Sequence, residues 1–83
     1  MTLDNLMQAE KRTVGVKQTE KAVAKGNALE VYIAKDADER VTEKLAELCE
    51  EKAVKLVEVE TMHELGRACG IHVKAAAAAI LNP

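Results

Sequence analysis

The sequence predicts an α/β fold, a three-layer α/β/α sandwich in which helices cover both faces of a four-stranded mixed sheet. Stretches with the 3.6-residue apolar period of helices alternate along the 83 residues with short runs rich in β-branched residues. Apolar residues make up 48% of the chain, which suffices for a core. A late run of alanines suits a central strand, because small side chains let flanking helices approach closely. We therefore expect residues 1–83 to form one domain.

The first predicted helix begins at Thr2, which can act as its N-cap, and ends near Arg12. Lys11 and Arg12 would then lie in its last turn, where the helix dipole favours cations. The apolar residues of this helix fall at positions i, i+3 and i+4, so one side is available for the core. They are Leu3, Leu6 and Met7.

A short strand then runs through Gly15 into a second helix, which ends at Gly26 and Asn27 in a left-handed turn. Glycine at position 15 permits a tight turn that a side chain would obstruct. The second helix is basic, because three lysines recur at helical spacing and share one face. They are Lys17, Lys21 and Lys25.

Two interpretations of this lysine face remain open. In the first, the lysines are solvated, and the opposite face is buried. In the second, Lys17, Lys21 and the unpaired N–H groups of the first turn receive an anion or an acceptor-rich base edge. Repulsion between the lysines costs only about a few tenths of a kcal/mol and excludes neither interpretation. The second predicts phosphate or nucleic acid as the partner. The buried face in the first consists of Thr19, Ala22 and Val23.

Residues 29–34 are rich in β-branched side chains and predict a strand that is covered on both faces. Asp36, followed three residues later by Glu39, resembles a capping box that begins the third helix. The apolar side chains that follow repeat as a single helical stripe. They are Val41, Leu45, Leu48 and Cys49.

Residues 55–59 form the third predicted strand. Thr61 and Glu64 then form a capping box for the fourth helix, which ends at Gly70. Two apolar residues of this helix should face inward, namely Leu65 and Ala68.

The final segment, residues 71–81, contains the alanine run, whose helix propensity is high. Three earlier strands that alternate with helices favour a strand instead, and we predict one here. Its first residues leave two alternatives. Ile71 and Val73 either begin the strand or form an apolar tip that packs against an unstacked base.

The net charge of −2 argues against a protein that coats nucleic acid without specificity, because that mode depends on neutralising many phosphates. Charge is nevertheless unevenly distributed. Residues 11–25 carry five basic residues and one acid, whereas residues 36–64 carry ten acids against four bases. We expect a bipolar molecule with an acidic rear, which suits a compact anionic target. The single aromatic residue, Tyr32, excludes a platform for base stacking.

The sequence offers no pattern for catalysis or for a cofactor. Gly15 is the only glycine in the turn directly after the first strand, so neither glycine-rich nucleotide-binding motif is present. No nucleophile pattern surrounds His63 or His72. Cys69 and His72 are three residues apart, but two ligands do not make a zinc site. Without a signal peptide or a membrane-length apolar run, we expect a cytoplasmic protein in which Cys49 and Cys69 are buried, reduced thiols.

Four segments of the chain carry a family resemblance. They are the G-x-x-x-x-x-K segment at residues 15–21, the strand end at residues 33–36, the L-G-x-A-x-G-I segment at residues 65–71, and the alanine-rich end. Together they resemble the kink-turn-binding ribosomal proteins of the L-seven-Ae and L-thirty-e superfamily, in particular its short bacterial YbxF-like branch. The resemblance covers nearly the whole chain.

This resemblance implies an α/β/α sandwich that is not an enzyme and binds a kink-turn. A kink-turn is an RNA helix bent sharply at a three-nucleotide bulge beside tandem sheared G·A pairs. In the family, the start of the second helix enters the RNA major groove at the G·A pairs. That role would fall on Lys17, Gln18 and Lys21, while Gly15 and Val16 would bring the backbone close to the RNA.

The resemblance also implies that the loop before the last strand covers the extruded bulge nucleotides. That role would fall on Ile71, His72 and Val73. The expected partner is ribosomal RNA or a structured leader RNA, bound by a monomer without cofactor, metal or membrane contact.

Two departures from the archaeal and eukaryotic members affect the expected RNA contacts. Those proteins carry Asn-Glu where this chain has Lys17 and Gln18, and lysine where it has Met62. An amide in place of a carboxylate removes an acceptor-only group, so contacts to guanine N–H groups should weaken or rearrange. An alternative from another functional class is a protein-interaction module on the same scaffold, which uses the acidic third helix and binds no RNA.

Overall fold

The computed structural model describes residues 2–82, with side chains from residue 3 onward. The capping role predicted for the Thr2 side chain lies outside these described residues. Helices and strands alternate in the predicted order. The elements are α1 (Thr2–Gln8), β1 (Arg12–Val14), α2 (Val16–Ala24), β2 (Ala28–Ala34), α3 (Glu39–Glu51), β3 (Lys55–Val59), α4 (Met62–Ala68) and β4 (Ala77–Leu81).

The strands form one mixed sheet in the order β1-β4-β2-β3. Strand β4 is antiparallel to both β1 and β2, whereas β2 and β3 are parallel. Ala79 of β4 lies opposite Thr13 on one side and opposite Val31 on the other. The alanine run therefore forms a central strand, and the prediction of a four-stranded mixed sheet is confirmed.

Helices cover both faces of this sheet. Helices α1 and α4 pack on one face, and α2 and α3 pack on the other. Successive residues of a strand point to opposite faces. Tyr32 and Ala78 therefore belong to the core beneath α1 and α4, whereas Val31 and Ala79 belong to the core beneath α2 and α3. This arrangement confirms the predicted α/β/α sandwich.

The two cysteines are buried on opposite faces of the sheet. Cys69 belongs to the core beneath α1 and α4, and Cys49 belongs to the core beneath α2 and α3. Both are free, as the sequence predicts, and the sheet between them prevents a disulfide. Burial raises the pKa of both thiols. They are therefore protonated and poorly nucleophilic at neutral pH.

The first helix is shorter than the sequence predicts. It ends at Gln8 rather than near Arg12, because Arg12 is already part of β1, where it pairs with Ile80. From this strand, the Arg12 guanidinium donates hydrogen bonds to carbonyl oxygens at the end of α1. The acceptors are Leu6 at 3.2 Å, Met7 at 3.2 Å and Ala9 at 3.5 Å. Arg12 thus stabilises the C-terminus of α1 from outside the helix.

The third helix begins at a different cap from the one predicted. Asp38, not Asp36, is the N-cap, and its carboxylate accepts a hydrogen bond from the Arg40 N–H at 2.9 Å. Hydrogen bonds from the Arg40 side chain and backbone hold the pKa of the Asp38 carboxyl below its usual range. Val41 was predicted to lie on the buried stripe but is 45% exposed. The buried residues of α3 are Thr42, Leu45 and Cys49.

Strand β4 begins only at Ala77. The strand predicted over residues 71–81 is therefore wrong for residues 71–76, and neither Ile71 nor Val73 begins a strand. These residues form a loop because two of their backbone N–H groups donate to carbonyl oxygens of α4 instead of to a neighbouring strand.

Boundaries that depend on local signals agree with the predictions. Strand β3 is Lys55–Val59. The Thr61 hydroxyl accepts a hydrogen bond from the Glu64 N–H at 3.0 Å and caps α4. Gly26 and Gly70 have φ values of 73° and 76°, the left-handed conformation that ends α2 and α4.

Replacing Arg12 with methionine is expected to lower the free energy of unfolding by about 1–2 kcal/mol, because carbonyl groups at the end of α1 lose a charged donor. The matched control is Lys11→Met, which removes an exposed charge from the preceding residue. Urea unfolding followed by circular dichroism measures both variants. Equal stability of the two variants would contradict the role assigned to Arg12.

Candidate nucleic-acid interface

The junction between β1 and α2 turns at Gly15, whose φ of 106° and ψ of 148° are disfavoured for residues with a side chain. A Cβ at this position would meet no atom within 4 Å, so the backbone conformation rather than crowding requires glycine. The Gly15 N–H donates to the Ala77 carbonyl oxygen at 2.8 Å, and the Gly15 carbonyl accepts from the Thr19 N–H at 3.0 Å. The turn therefore holds the start of α2 against the first residue of β4.

Helix α2 begins without a side-chain cap. Its leading N–H groups have no partners within the helix, as at every helix start. Lys17, Gln18 and Lys21 are all exposed beside them, and no acidic residue lies in the first turn. The partial positive charge of the helix start and the two ammonium groups therefore favour the approach of an anion. The opposite face is buried as predicted and consists of Thr19, Ala22 and Val23.

The loop of residues 71–76 is tied at both ends to α4. The Ile71 N–H donates to the Gly66 carbonyl oxygen at 3.1 Å, and the Ala75 N–H donates to the Met62 carbonyl oxygen at 3.0 Å. These bonds use donors that a longer β4 would have offered to the sheet. The loop therefore takes its position from α4, not from a strand.

Asp36, which the sequence predicts as the cap of α3, is joined to α4 instead. Its carboxylate accepts a hydrogen bond from the Met62 N–H at 2.8 Å. The neighbouring Lys35 donates its backbone N–H to the Val59 carbonyl at 2.7 Å, and its ammonium pairs with Glu60 at 3.1 Å. The segment after β2 thus fixes the start of the helix that carries the loop.

Gly66 allows the loop to lie directly on α4. A Cβ at this position would overlap the carbonyl oxygen of Val73 and would lie 3.5 Å from the Ala75 nitrogen, so any side chain must displace the loop. Ile71 is half-buried against the core, whereas His72 is exposed and Val73 is 69% exposed. Val73 therefore forms an apolar tip, and Ile71 anchors the loop to the core.

Backbone hydrogen bonds at the start of β4 bring α2 and this loop to one end of the sheet. The Ala77 carbonyl accepts from Gly15, and the preceding Ala76 carbonyl accepts from the Ala34 N–H at 3.0 Å. The start of α2, the end of β2 and the loop are therefore neighbours. The two segments that meet here carry the residues that the family resemblance assigns to RNA binding. These are Gly15, Val16, Lys17, Gln18, Lys21, Ile71, His72 and Val73.

A pocket beside the loop includes two residues of α4 that the sequence did not assign to a site, His63 and Arg67. They line a cavity of ≈ 300 Å³ together with Ile71, His72 and Val73. Because His63 and Arg67 are four residues apart, their side chains lie on one face of α4. This spacing is the feature of the sequence from which the pair could have been identified. The attachment of the loop to α4 shows that this face borders the predicted site.

The acidic helix does not lie behind the basic one. Helices α2 and α3 share a face of the sheet, where α2 contacts β4 and β1 and α3 contacts β3. Positive and negative charge are therefore separated along the sheet, from its β1 edge to its β3 edge. The acidic α3 thus lies beside the basic α2 on one face of the sheet, and an acidic rear relative to the β1–α2 junction stays a prediction.

Within residues 2–82, no three histidine, cysteine, aspartate or glutamate side chains lie close enough together to hold a metal ion. The spacing of Cys69 and His72 in the sequence would allow the two side chains to chelate a metal ion. In the structure, however, Cys69 is buried and His72 is exposed. No helix in the described part of the chain is long and apolar enough to cross a membrane.

The chain is similar to known proteins in both sequence and structure. Residues 1–83 match the sequence model of the ribosomal protein L7Ae/L30e/S12e/Gadd45 family. The chain is 59% identical over 69 residues to RNA-binding protein TTE2299 of Caldanaerobacter subterraneus subsp. tengcongensis, covering 83% of this chain and 84% of that protein. It is 43% identical over 82 residues to RNA-binding protein YbxF of Geobacillus stearothermophilus, covering 99% and 100%. Its structure resembles the Giardia lamblia 15.5kD RNA binding protein with a TM-score of 0.89 and 32% identity, covering 99% and 72%.

Replacing Gly66 with alanine is expected to displace the loop, because the new methyl group would overlap the Val73 carbonyl. The overlap should cost about 1–3 kcal/mol of stability and should speed amide hydrogen exchange at Ile71 and Ala75 by at least about tenfold relative to the core strands. The matched control is Gly26→Ala, where the added methyl group meets open space but the φ of 73° is strained. Unchanged exchange of the loop amides in the Gly66 variant would contradict this account.

Proposed function

Because the chain belongs to the ribosomal protein L7Ae/L30e/S12e/Gadd45 family, we propose that it is a non-enzymatic RNA-binding protein and that it recognises kink-turns. The observation that carries this proposal is the meeting of the uncapped, basic start of α2 with the 71–76 loop at the beginning of β4. Two segments that are far apart in sequence thus present one surface. The names of the relatives, RNA-binding proteins from several bacteria, support the choice of RNA as partner.

On this proposal, the start of α2 contacts the tandem sheared G·A pairs. The A-form major groove is normally too narrow for side chains, but a sharp bend and sheared pairs open it and expose guanine O6 and N7. Lys17 and Lys21 then donate to those acceptors, and the Gln18 amide both donates and accepts. The turn at Gly15 and the short side chain of Val16 let the backbone come close to the RNA.

The loop contacts the nucleotides extruded at the bulge. The chain has no aromatic platform for these bases, because its single aromatic residue, Tyr32, is fully buried. Val73 offers an exposed apolar surface in its place, supported by the anchor at Ile71. His72 is exposed between them and is available for a polar contact.

The distribution of charge supports a compact target. Lys17 and Lys21 lie in the first half of α2, while the net charge of the chain is −2. A monomer with this pattern favours one bent RNA element over a long array of phosphates. By binding the bent form more tightly than the open form, the protein would shift the RNA towards the kink. Ribosomal RNA and structured leader RNAs in the cytoplasm are the proposed targets.

Replacing Lys21 with alanine is expected to weaken binding to a kink-turn RNA by about 1–3 kcal/mol, or about 5- to 150-fold in Kd, because a base contact is lost. The matched control is Lys25→Ala, which removes a lysine from the same face at the other end of α2. Both variants and the unmodified chain are titrated against a kink-turn RNA and against a twin whose G·A pairs are replaced by Watson–Crick pairs.

Preference for the kink-turn over its twin, reduced by the change at Lys21 and not by the change at Lys25, is the expected result. Equal binding of the two RNAs by the unmodified chain would refute kink-turn recognition. In that case, partner capture with and without nuclease would test the alternative of a protein-interaction module.

Replacing Val73 with aspartate is expected to weaken kink-turn binding at least about tenfold while leaving the urea midpoint unchanged, because Val73 is 69% exposed. Val41→Asp is the matched control, since it introduces the same charge at an exposed valine of α3. Ile71→Asp should weaken binding and also lower the urea midpoint, because Ile71 packs against the core. Equal RNA affinities for the Val73 and Val41 variants would exclude the loop from the interface.

A further inference from the structure

The pocket between α4 and the 71–76 loop contains two side chains, His63 and Arg67, that the G·A and bulge contacts leave unused. His63 and Arg67 lie one turn apart on α4, and His72 approaches from the loop. All three side chains are exposed. The cavity that they line together with Ile71 and Val73 is ≈ 300 Å³. It therefore gathers one guanidinium and two imidazoles, all of which can donate hydrogen bonds.

Arg67 is available for a ligand. Within residues 2–82, its guanidinium takes part in none of the hydrogen bonds or ion pairs of the fold. A guanidinium presents a planar set of donors that matches two oxygens of a phosphate group. An imidazole N–H of His63 or His72 can donate to one of the same two oxygens. The pocket thus has the donor set that a phosphodiester requires.

We propose that this pocket binds a phosphodiester group of the bound RNA, next to the extruded nucleotides, and that the two histidines make RNA binding tighter at acid pH. The inference rests on the proposed function, because the same pocket shares Ile71, His72 and Val73 with the loop that covers the bulge. A base packed on Val73 would bring the phosphates of its own strand close to the pocket that Arg67 lines. Recognition of the RNA would then include a contact to its backbone as well as to its bases.

The charged groups around the pocket, apart from Arg67, are carboxylates and ammonium groups. On α4, Glu64 lies beside Arg67 in the groove towards α1, and Lys74 lies in the loop. The other carboxylates on elements and loops packed against α4 are Asp4 of α1, Glu30 of β2, Glu58 of β3, Asp36, whose oxygen accepts the Met62 N–H, and Glu60, which pairs with Lys35. Carboxylates and ammonium groups ordinarily titrate outside the range from pH 5.8 to pH 7.8, whereas imidazoles titrate within it. Among the side chains around the pocket, a pH effect in this range is therefore expected from the imidazoles alone.

The chain contains only two histidines, so one double variant removes both. The experiment measures Kd for the kink-turn RNA and for its twin with Watson–Crick pairs at pH 5.8 and pH 7.8, at constant ionic strength. The proteins are the unmodified chain, His63→Gln, and the double variant His63→Gln with His72→Gln. The quantity compared is the ratio of Kd values at the two pH values for each protein. Because all proteins bind the same RNA, titration of the RNA affects each ratio equally. A loss of affinity that is the same at both pH values leaves the ratio unchanged.

The unmodified chain is expected to bind the kink-turn about three- to tenfold more tightly at pH 5.8, as two exposed ion-pair contacts allow. His63→Gln should reduce this ratio, and the double variant should bring it close to one. Arg67→Gln should weaken binding at both pH values. It should also reduce the slope of log Kd against the logarithm of salt concentration by about one. Urea midpoints at both pH values establish that each variant is folded.

Each other result has a distinct meaning. A pH ratio that is the same in the unmodified chain and the double variant overturns the phosphate pocket, while preference for the kink-turn over its twin leaves the proposed function standing. Equal tightening of both RNAs at acid pH also overturns it, because that pattern indicates general attraction to nucleic acid. Failure of the unmodified chain to prefer the kink-turn refutes the proposed function, and this inference fails with it.

Discussion

Two consecutive carbonyl oxygens at the start of β4 connect the parts of this molecule. The Ala76 carbonyl accepts a hydrogen bond from the end of β2, and the Ala77 carbonyl accepts one from the turn at Gly15. Because β4 is a central strand, these bonds fix the start of α2 and the end of the 71–76 loop relative to each other. Both segments would otherwise be positioned independently, one by β1 and the other by α4. The geometry of the candidate interface thus follows from the pairing of the sheet.

Small residues make this arrangement possible. Alanine side chains on both faces of β4 allow helices to pack on each side of the strand, and Gly66 allows the loop to lie on the surface of α4. The loop therefore obtains its shape from close backbone contact rather than from its own turn residues. An apolar tip at Val73 is tolerated because Ile71, two residues earlier, is anchored in the core. Leaving one valine exposed costs little free energy compared with the stabilisation that the buried apolar side chains of the core provide.

Charge and shape act on different parts of the proposed RNA partner. The lysines of α2 and the start of the helix supply a positive field and directional donors, whereas the tip of the loop supplies apolar contact. The pocket around Arg67 would extend the field to the backbone beyond the bulge. Because the acidic α3 lies at the far edge of the same face, the protein would repel additional phosphates there. This combination favours one compact, bent RNA over extended nucleic acid.

The sequence by itself determined the features that depend on neighbours within a few residues. The alternation of helices and strands, the Thr61 cap, the left-handed glycines at positions 26 and 70, and the inward faces of α2 and α4 all follow from local propensity and spacing. It could also identify the residues of the candidate interface through family resemblance, and their contacts with RNA remain predictions.

Only the tertiary structure decided features whose partners are distant in sequence. Arg12 leaves α1 because it pairs with Ile80, and Asp36 serves α4 because Met62 lies nearby in space. The alanine run becomes a strand only from Ala77, because α4 accepts the N–H groups of the loop before it. In each case, the polar groups concerned must find hydrogen-bond partners, and more than one local conformation offers them. The choice therefore falls to hydrogen-bond partners that local sequence patterns do not reveal.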